Sequence, residues 1–561
     1  MTSLALHPGL VLIAGALVLA VLRGRARGAA SVIVPATALY LAWQLPDGVA
    51  WSVPFLDYHL ALLSGDKLSR LFATVFAIMA LGGGLFALNQ KNPLELPAAF
   101  VYAGAAIGVT LAGDLISVFV FWELMAIGST LVIWSAGSTS AYRASLRYLM
   151  IHLLGGVILM AGIAGHVAEL GSIAFQRMAL DSPAHWLILA GFLINAGAPP
   201  LSAWLPDAYP EASWSGTVFL SAFTTKTAVY VLLRGFPGTE ILVYLGLFMV
   251  FYGIVYALFE NDMRRILAYS IVSQVGFMVT AIGIGTEMAL NGAAAHAFAH
   301  IIYKALLLMS AGSVLLMTGK RKCTDLGGLF QSMPLTTWCG IIGALSISSF
   351  PLTSGFVSKS MISQAAADGH LLVIWLLLAA ASAGTFLYAG IKFPWFVFFQ
   401  KDSGLRPPDP PLNMRLAMLF FSVLCIGLGV YPDSLYAILP YPVEFEPYTG
   451  AHVVAQLQLL LFSALAFFVL LGVLRRTPTI TLDVDWLYRR LGPSLCVGIA
   501  ERLARALAGL GRSASSLLSG VLGALHRHHG PQGVLARTWP TGSMALWTVI
   551  LLLAYLLLYY V

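Results

Sequence analysis

Long apolar runs, cut by short polar segments, cover the chain almost from end to end. A helix needs about 20 apolar residues to cross a bilayer core. Sixteen runs are candidates, near 4–22, 30–46, 69–89, 97–113, 115–135, 145–166, 184–199, 214–234, 239–259, 265–285, 288–318, 334–365, 372–399, 412–431, 453–474 and 543–561. The block 97–135 is continuous and must be split, and Asp114 is its natural hinge. Two runs carry proline where a helix cannot continue. One, 184–199, breaks at Pro199 and Pro200; the other, 334–365, breaks at Pro351 and Gly355. They lie five spans apart and so run in opposite directions, as the broken helices of an inverted-topology repeat do. The pattern predicts an all-α polytopic membrane protein. Its parts are N-terminal spans (1–96), a core (97–431), an additional span (432–474), an amphipathic segment (475–540) and a last span (541–561).

Composition strengthens this reading. Of 561 residues, 59% are hydrophobic and only 10% charged, with a mean hydropathy of +0.86. A soluble domain is about a quarter charged. The net charge of +7 does not imply nucleic acid, because basic excess in a membrane protein gathers in cytoplasmic loops. With the N-terminus outside, those loops hold Arg23, Arg25 and Arg27, then Lys91, Arg143 and Arg147, Arg264 and Arg265, Lys320, Arg321 and Lys322, and Lys401 and Arg406. Outside loops are poor in cations, with Arg177 and Arg234 as exceptions. Sixteen spans with both termini outside therefore satisfy the positive-inside rule. The four cysteines, Cys323, Cys339, Cys425 and Cys496, are scattered and lack metal-ligand spacing.

From Arg475 onward the chain is amphipathic and basic, with Arg489, Arg490, Arg502, Arg505 and Arg512 among Leu, Ala and Val. This suits a helix on the cytoplasmic membrane surface, with an interruption expected at Gly492 and Pro493. His526, His528 and His529 lack a neighbouring carboxylate or cysteine and fit a solvated turn better than a metal site.

Several ionisable residues fall inside apolar runs, where function is the default hypothesis. Glu123 lies in VFVFWELMAIGST, half a span from Asp114. Lys226 lies in FTTKTAVYVLL. His296, His300 and Lys304 recur at i, i+4, i+8 and share one helix face. Two histidines could hold zinc, but no third ligand is evident and a cation one turn away opposes it. A proton wire suits these residue types better. Lys359 follows the second break in SGFVSKSMI. His152, in YLMIHLLGG, fits a core hydrogen bond as well as a functional role. Glu260, Asp262, Arg264 and Arg265 sit at a span end and are expected to form a solvated turn.

Several segments together resemble one family. They are PPLSAWLPDAYPEA followed by TTKTAVY, the FWELM span, NDMRRILAYSIVSQVGFM, HAFAHIIYKALLLMSAG and SGFVSKSMI. In this order, over roughly residues 60–430, they resemble the antiporter-like membrane subunits. Those occur in respiratory complex I, membrane-bound hydrogenases and Mrp-type multisubunit Na+/H+ antiporters, and the wording is nearest the D-type Mrp subunit. The resemblance implies a fourteen-helix core with two inverted five-helix repeats, each with a broken helix. It implies a central axis whose glutamate is Glu123 and whose bridging lysine is Lys226. Its middle-span groups are His296, His300 and Lys304, and its distal lysine is Lys359. One position departs from the family. Asn195 stands where a lysine usually partners the glutamate, and Ser202 where a histidine is common. Glu123 then loses its expected ion pair and is either protonated more often than in family relatives or pairs with another group such as Lys226, while Asn195 offers an amide to Na+ or water.

The resemblance implies an ion-translocating subunit of a monovalent cation (Na+)/proton antiporter in the bacterial inner membrane, surrounded by lipid and other membrane subunits. The alternatives are a proton-pumping subunit of an NADH–quinone oxidoreductase-like or hydrogenase-like complex, and a non-pumping scaffold. The chain shows no iron–sulfur cysteine cluster, Rossmann glycine motif or haem motif. No metal or cofactor is expected in this chain, and any redox chemistry would live in partners.

Overall fold

The computed structural model describes residues 6–474 and 482–560. Arg475, the first cation of the basic tail, lies outside the described residues. Every apolar run is seen as a helix, a pair of half-helices or a helix with a wound extension. Helices α1 (Pro8–Val21) and α2 (Gly24–Trp43) lead into a hairpin of β1 (Gly48–Phe55) and β2 (Tyr58–Gly65). Then come α3 (Lys67–Phe86), α4 (Glu95–Leu111), α5 (Leu115–Trp134) and α6 (Thr139–Leu170). The first broken span is α7 (Pro183–Ala196) with the short α8 (Trp204–Ala208). The next span is also interrupted, into α9 (Gly216–Leu220) and α10 (Thr224–Gly235). Three long helices follow: α11 (Ile241–Phe259), α12 (Met263–Ile284) and α13 (Glu287–Thr318). The second broken span is α14 (Pro334–Ile347) with α15 (Ser354–Asp368). Helix α16 (Leu372–Thr385) continues as two π-helical stretches, Phe386–Lys392 and Trp395–Phe399. Helices α17 (Leu412–Val430), α18 (Asp433–Tyr436) and α19 (Gly450–Val469) complete the first of two compact units, Met1–Asp485.

The second unit, Trp486–Val561, holds α20 (Gly492–His529) and α21 (Thr541–Tyr560). The expected interruption at Gly492 and Pro493 is only a change of winding: a π-helical stretch, Leu487–Leu491, runs directly into α20 with Gly492 and Pro493 in its first turn. At 1.5 Å per residue this 38-residue helix is about 57 Å long.

Asp114 is the hinge of the block 97–135. Its carboxylate caps α5 through Ser117 N (2.7 Å) and also takes the Ala61 N–H of β2 (2.8 Å). The hairpin is thereby fastened to the α4–α5 turn, and Gly113 N donates to Ala61 O at 2.8 Å.

The two broken spans share a local sequence. Pro200-Leu201-Ser202 follows α7, and Pro351-Leu352-Thr353 follows α14. In both, proline stops the helix and a hydroxyl residue follows two places later. The second break is very tight: a Cβ on Gly355 would collide with Ser346 O. Backbone so close cannot yield as a side chain can. Gly355→Ala is expected to cost about 1–3 kcal/mol or more, seen as a lower thermal midpoint of the purified protein; an unchanged midpoint would show the break to be pliable.

Candidate functional site

Three elements meet in the middle of the first unit. The i, i+4, i+8 stripe of α13 holds, and His296, His300 and Lys304 are fully buried on it. His296 Nδ1 lies 2.9 Å from Ser358 Oγ of α15, and its Nε2 lies 3.2 Å from Gln274 Oε1 of α12. The Tyr303 hydroxyl is 3.4 Å from both Gln274 Oε1 and His296 Nε2. The two imidazole rings are 6.2 Å apart, and neither nitrogen of His300 has a protein hydrogen-bond partner. Lys304 Nζ donates to Ser270 Oγ and, at 3.4 Å, to Leu267 O.

A buried lysine flanks the stripe on either side. Lys226 Nζ donates to Ser221 O (2.6 Å), at the end of α9, and to Thr225 Oγ1 (3.0 Å), in the first turn of α10. Lys359 Nζ donates to Ile347 O (3.0 Å), the last residue of α14, and lies 4.7 Å from the centre of the Phe277 ring. Lys226, His300, Lys304 and Lys359 are within electrostatic reach of one another. Each ammonium is bonded to neutral oxygen.

Glu123, Asn195 and His152 form a second cluster around α6. Glu123 Oε1 packs on Gly156, where any Cβ would collide with it, and it is buried without a hydrogen-bond partner. Asn195 lies beside Gly155, one residue earlier, with both amide atoms unpartnered. His152 stacks on Tyr148 (3.9 Å) and meets Trp204 edge-on (4.6 Å). The Trp204 indole donates to Ile194 O at 2.9 Å, which ties α8 to the end of α7. Pairing of Glu123 with Lys226 is not what the structure shows, because the lysine is turned to the end of α9.

Hydroxyls that read as ordinary helix polarity join the clusters. Tyr148 reaches Ser129 Oγ (3.0 Å) and Thr224 Oγ1 (3.2 Å), and Thr224 Oγ1 lies 2.7 Å from the Tyr102 hydroxyl. Thr224 is two residues before Lys226, so this string runs from His152 to the start of α10.

The turn 260–265 corrects a sequence expectation. It is not solvated: Glu260, Asp262 and Arg264 are buried. Arg321 Nε pairs with Asp262 at 2.8 Å and Arg265 Nε with Glu260 at 3.2 Å. The Arg264 guanidinium donates to Pro210 O (2.9 Å), Ala212 O (2.8 Å), Ser213 O (2.7 Å) and Thr217 Oγ1. Arg321 comes from a distant segment to neutralise Asp262, which local sequence cannot reveal. Burial alone would raise the Glu211 carboxyl, but Ser140 and Arg321 beside it bring it below its ordinary value. Among the described residues no cluster of three His, Cys, Asp or Glu side chains has metal-site geometry. None of the four cysteines forms a disulfide among the described residues.

Residues 112–385 match the family model described as NADH:quinone oxidoreductase/Mrp antiporter, transmembrane. The chain is 31% identical over 428 residues to the D-type subunit of the Na(+)/H(+) antiporter of Alkalihalophilus pseudofirmus, an alignment covering 70% of this chain and 83% of that protein. Its fold is similar to a chain of the Mrp complex from a Dietzia species, with a TM-score of 0.73 and 24% identity, over 98% of this chain and 62% of that one. It is also similar to a chain of the membrane-bound sulfane sulfur reductase, an archaeal respiratory membrane complex. There the TM-score is 0.72 and the identity 24%, over 98% of this chain and 99% of that one.

Proposed function

The chain belongs to the NADH:quinone oxidoreductase/Mrp antiporter family of membrane subunits, and on that premise we propose that it moves protons within a multisubunit monovalent cation (Na+)/proton antiporter. One observation carries the reading: the buried row of Lys226, His300, Lys304, His296 and Lys359, whose ammonium groups rest on neutral oxygens. A carboxylate partner would fix each proton in place. A carbonyl or hydroxyl lets it pass to the next group once water or an imidazole comes within reach. Intramembrane rows of this kind mark proton relays. A membrane potential contributes about 2.3 kcal/mol per charge per 100 mV, enough to drive cation exchange. Glu123, beside Asn195 and His152, supplies a second proton-holding group. The working form is an assembly with other membrane subunits in a bacterial inner membrane, with both termini on the outer side.

The purified complex, reconstituted into liposomes, is expected to acidify or alkalinise the lumen when a Na+ gradient is imposed, read with a pH-sensitive dye. A lumen that ignores Na+, K+ and Li+ gradients would overturn antiport.

A redox-complex reading is favoured by a different observation. The archaeal reductase chain and this one superpose over 99% and 98% of their lengths, whereas this chain covers only 62% of the Mrp-complex chain. In that setting the same row would move protons on energy from partner subunits. Subunits copurifying with the chain decide between the two: small antiporter subunits, or iron–sulfur and flavin proteins.

A further inference from the structure

Three helix ends in the first unit carry a lysine ammonium. Lys226 Nζ sits on Ser221 O at the end of α9, at 2.6 Å. Lys359 Nζ sits on Ile347 O at the end of α14, at 3.0 Å. Lys392 Nζ sits on Ala257 O (3.1 Å) and Glu260 O (2.7 Å) at the end of α11. The physical reason is common to all three. The last carbonyls of a helix lack internal donors and carry partial negative charge, so a cation there is stabilised.

Helix α7 is the counterpart of α14. Each ends at its break, and each is followed by Pro-Leu and a hydroxyl residue. Yet the end of α7 meets a neutral donor, the Trp204 indole on Ile194 O at 2.9 Å. Around this end lie Asn195 (0% exposed), Ser202 (3%) and His152 (1%). Both amide atoms of Asn195, Oγ of Ser202, Nε2 of His152 and the nearby Oε1 of Glu123 are buried without a protein partner. A buried polar atom left unpaired costs about 1–3 kcal/mol, so several around one stretch of α6 point to a ligand. The oxygens on offer are an amide, a hydroxyl and a carboxylate, with one negative charge among them and no thiolate. Such a hard oxygen set suits an alkali cation and not a soft transition metal. Half-helix C-termini at membrane depth are favourable places for Na+.

We propose that the end of α7 is a monovalent-cation site, in which Asn195 Oδ1, Ser202 Oγ and Glu123 hold a partly dehydrated Na+ at the position corresponding to Lys359 Nζ at the end of α14. The site deepens the reading of the chain as a cation/proton translocator and rests on it. His152 and Trp204 wall it on the α6 side. Glu123 makes cation binding compete with a proton, which is the elementary requirement of exchange.

The test is equilibrium binding of ²²Na+ to the purified complex in detergent, without any gradient. Asn195→Lys tethers an ammonium at the helix end and is expected to remove one Na+ equivalent per complex. Asn195→Leu removes the amide without adding charge and serves if the lysine variant fails to assemble. Ser202→Ala is expected to weaken binding about tenfold, on the scale of losing one group that supports an ion site. Unchanged stoichiometry and affinity in Asn195→Lys and Asn195→Leu would overturn the site. Gradient-driven transport in liposomes is measured on the same preparations. Binding lost from the variants supports the site whatever the flux, whereas normal transport with unaltered Na+ binding rejects the site and leaves the translocation reading standing.

Discussion

Lys226→Ala is expected to abolish proton movement while leaving the complex assembled. The side chain is fully buried, and its ammonium joins the end of α9 to the start of α10 through Ser221 O and Thr225 Oγ1. Two residues before it stands Thr224, where the hydroxyl string from Tyr148 ends. Removing a group that passes a proton typically costs a hundredfold or more, about 10²–10⁴. Flux in liposomes should fall to the level of empty vesicles. Lys226→Arg keeps the charge but gives up the proton far less readily, so it should be nearly as impaired. Assembly read by size exclusion separates this from misfolding. Wild-type flux in Lys226→Ala would remove the residue from the path and favour a scaffold role.

Arg264→Ala should act on stability. Its guanidinium answers three backbone carbonyls, Pro210 O, Ala212 O and Ser213 O, and the Thr217 hydroxyl. All four acceptors lie between α8 and α9 or in the first turn of α9, a stretch with no continuous helix to satisfy them. Pro210 O would keep the longer bond from Arg321 and Ser213 O those from Thr217, while Ala212 O would lose its donor; an acceptor left buried and unpaired costs about 1–3 kcal/mol. The variant should accumulate poorly and melt well below the parent. Arg264→Lys supplies one point donor in place of a fork and should recover only part of the difference. An unchanged melting midpoint in the alanine variant would show that water replaces the guanidinium there.

Much of the architecture was legible because a bilayer permits so few solutions. Runs of about 20 apolar residues have to be helices, and proline has to stop them. The split at Asp114 was visible because a carboxylate between two apolar runs has few tasks other than capping. The α13 stripe was visible because spacing alone sets which residues share a face. The hairpin was not legible. Its turn at Leu56-Asp57 lacks glycine or asparagine, Pro54 lies within β1, and its partner is the α4–α5 turn. The turn 260–265 misled for a related reason: Glu260 and Arg265 pair within it, but Asp262 is answered by Arg321 and Arg264 by the neutral oxygens of 210–217. Ser270, Gln274, Ser358 and Tyr303, which surround the α13 stripe, carry no signal at all until the helices are assembled. The interruption between α9 and α10 falls in the polar patch 221–227 of an otherwise apolar run, which holds neither proline nor glycine to mark a break.

The π-helical stretch Phe386–Lys392 has a consequence for how α16 could move. It fits one residue more into a hydrogen-bonded turn than an α-helix does. Relaxing one such turn to α geometry would rotate everything beyond it by about 100°. Lys392 would then swing away from Ala257 O, Leu258 O and Glu260 O, which now hold it. In the winding seen here Lys392 tethers the stretch that continues α16 to the end of α11, a link that belongs to the π-helical register.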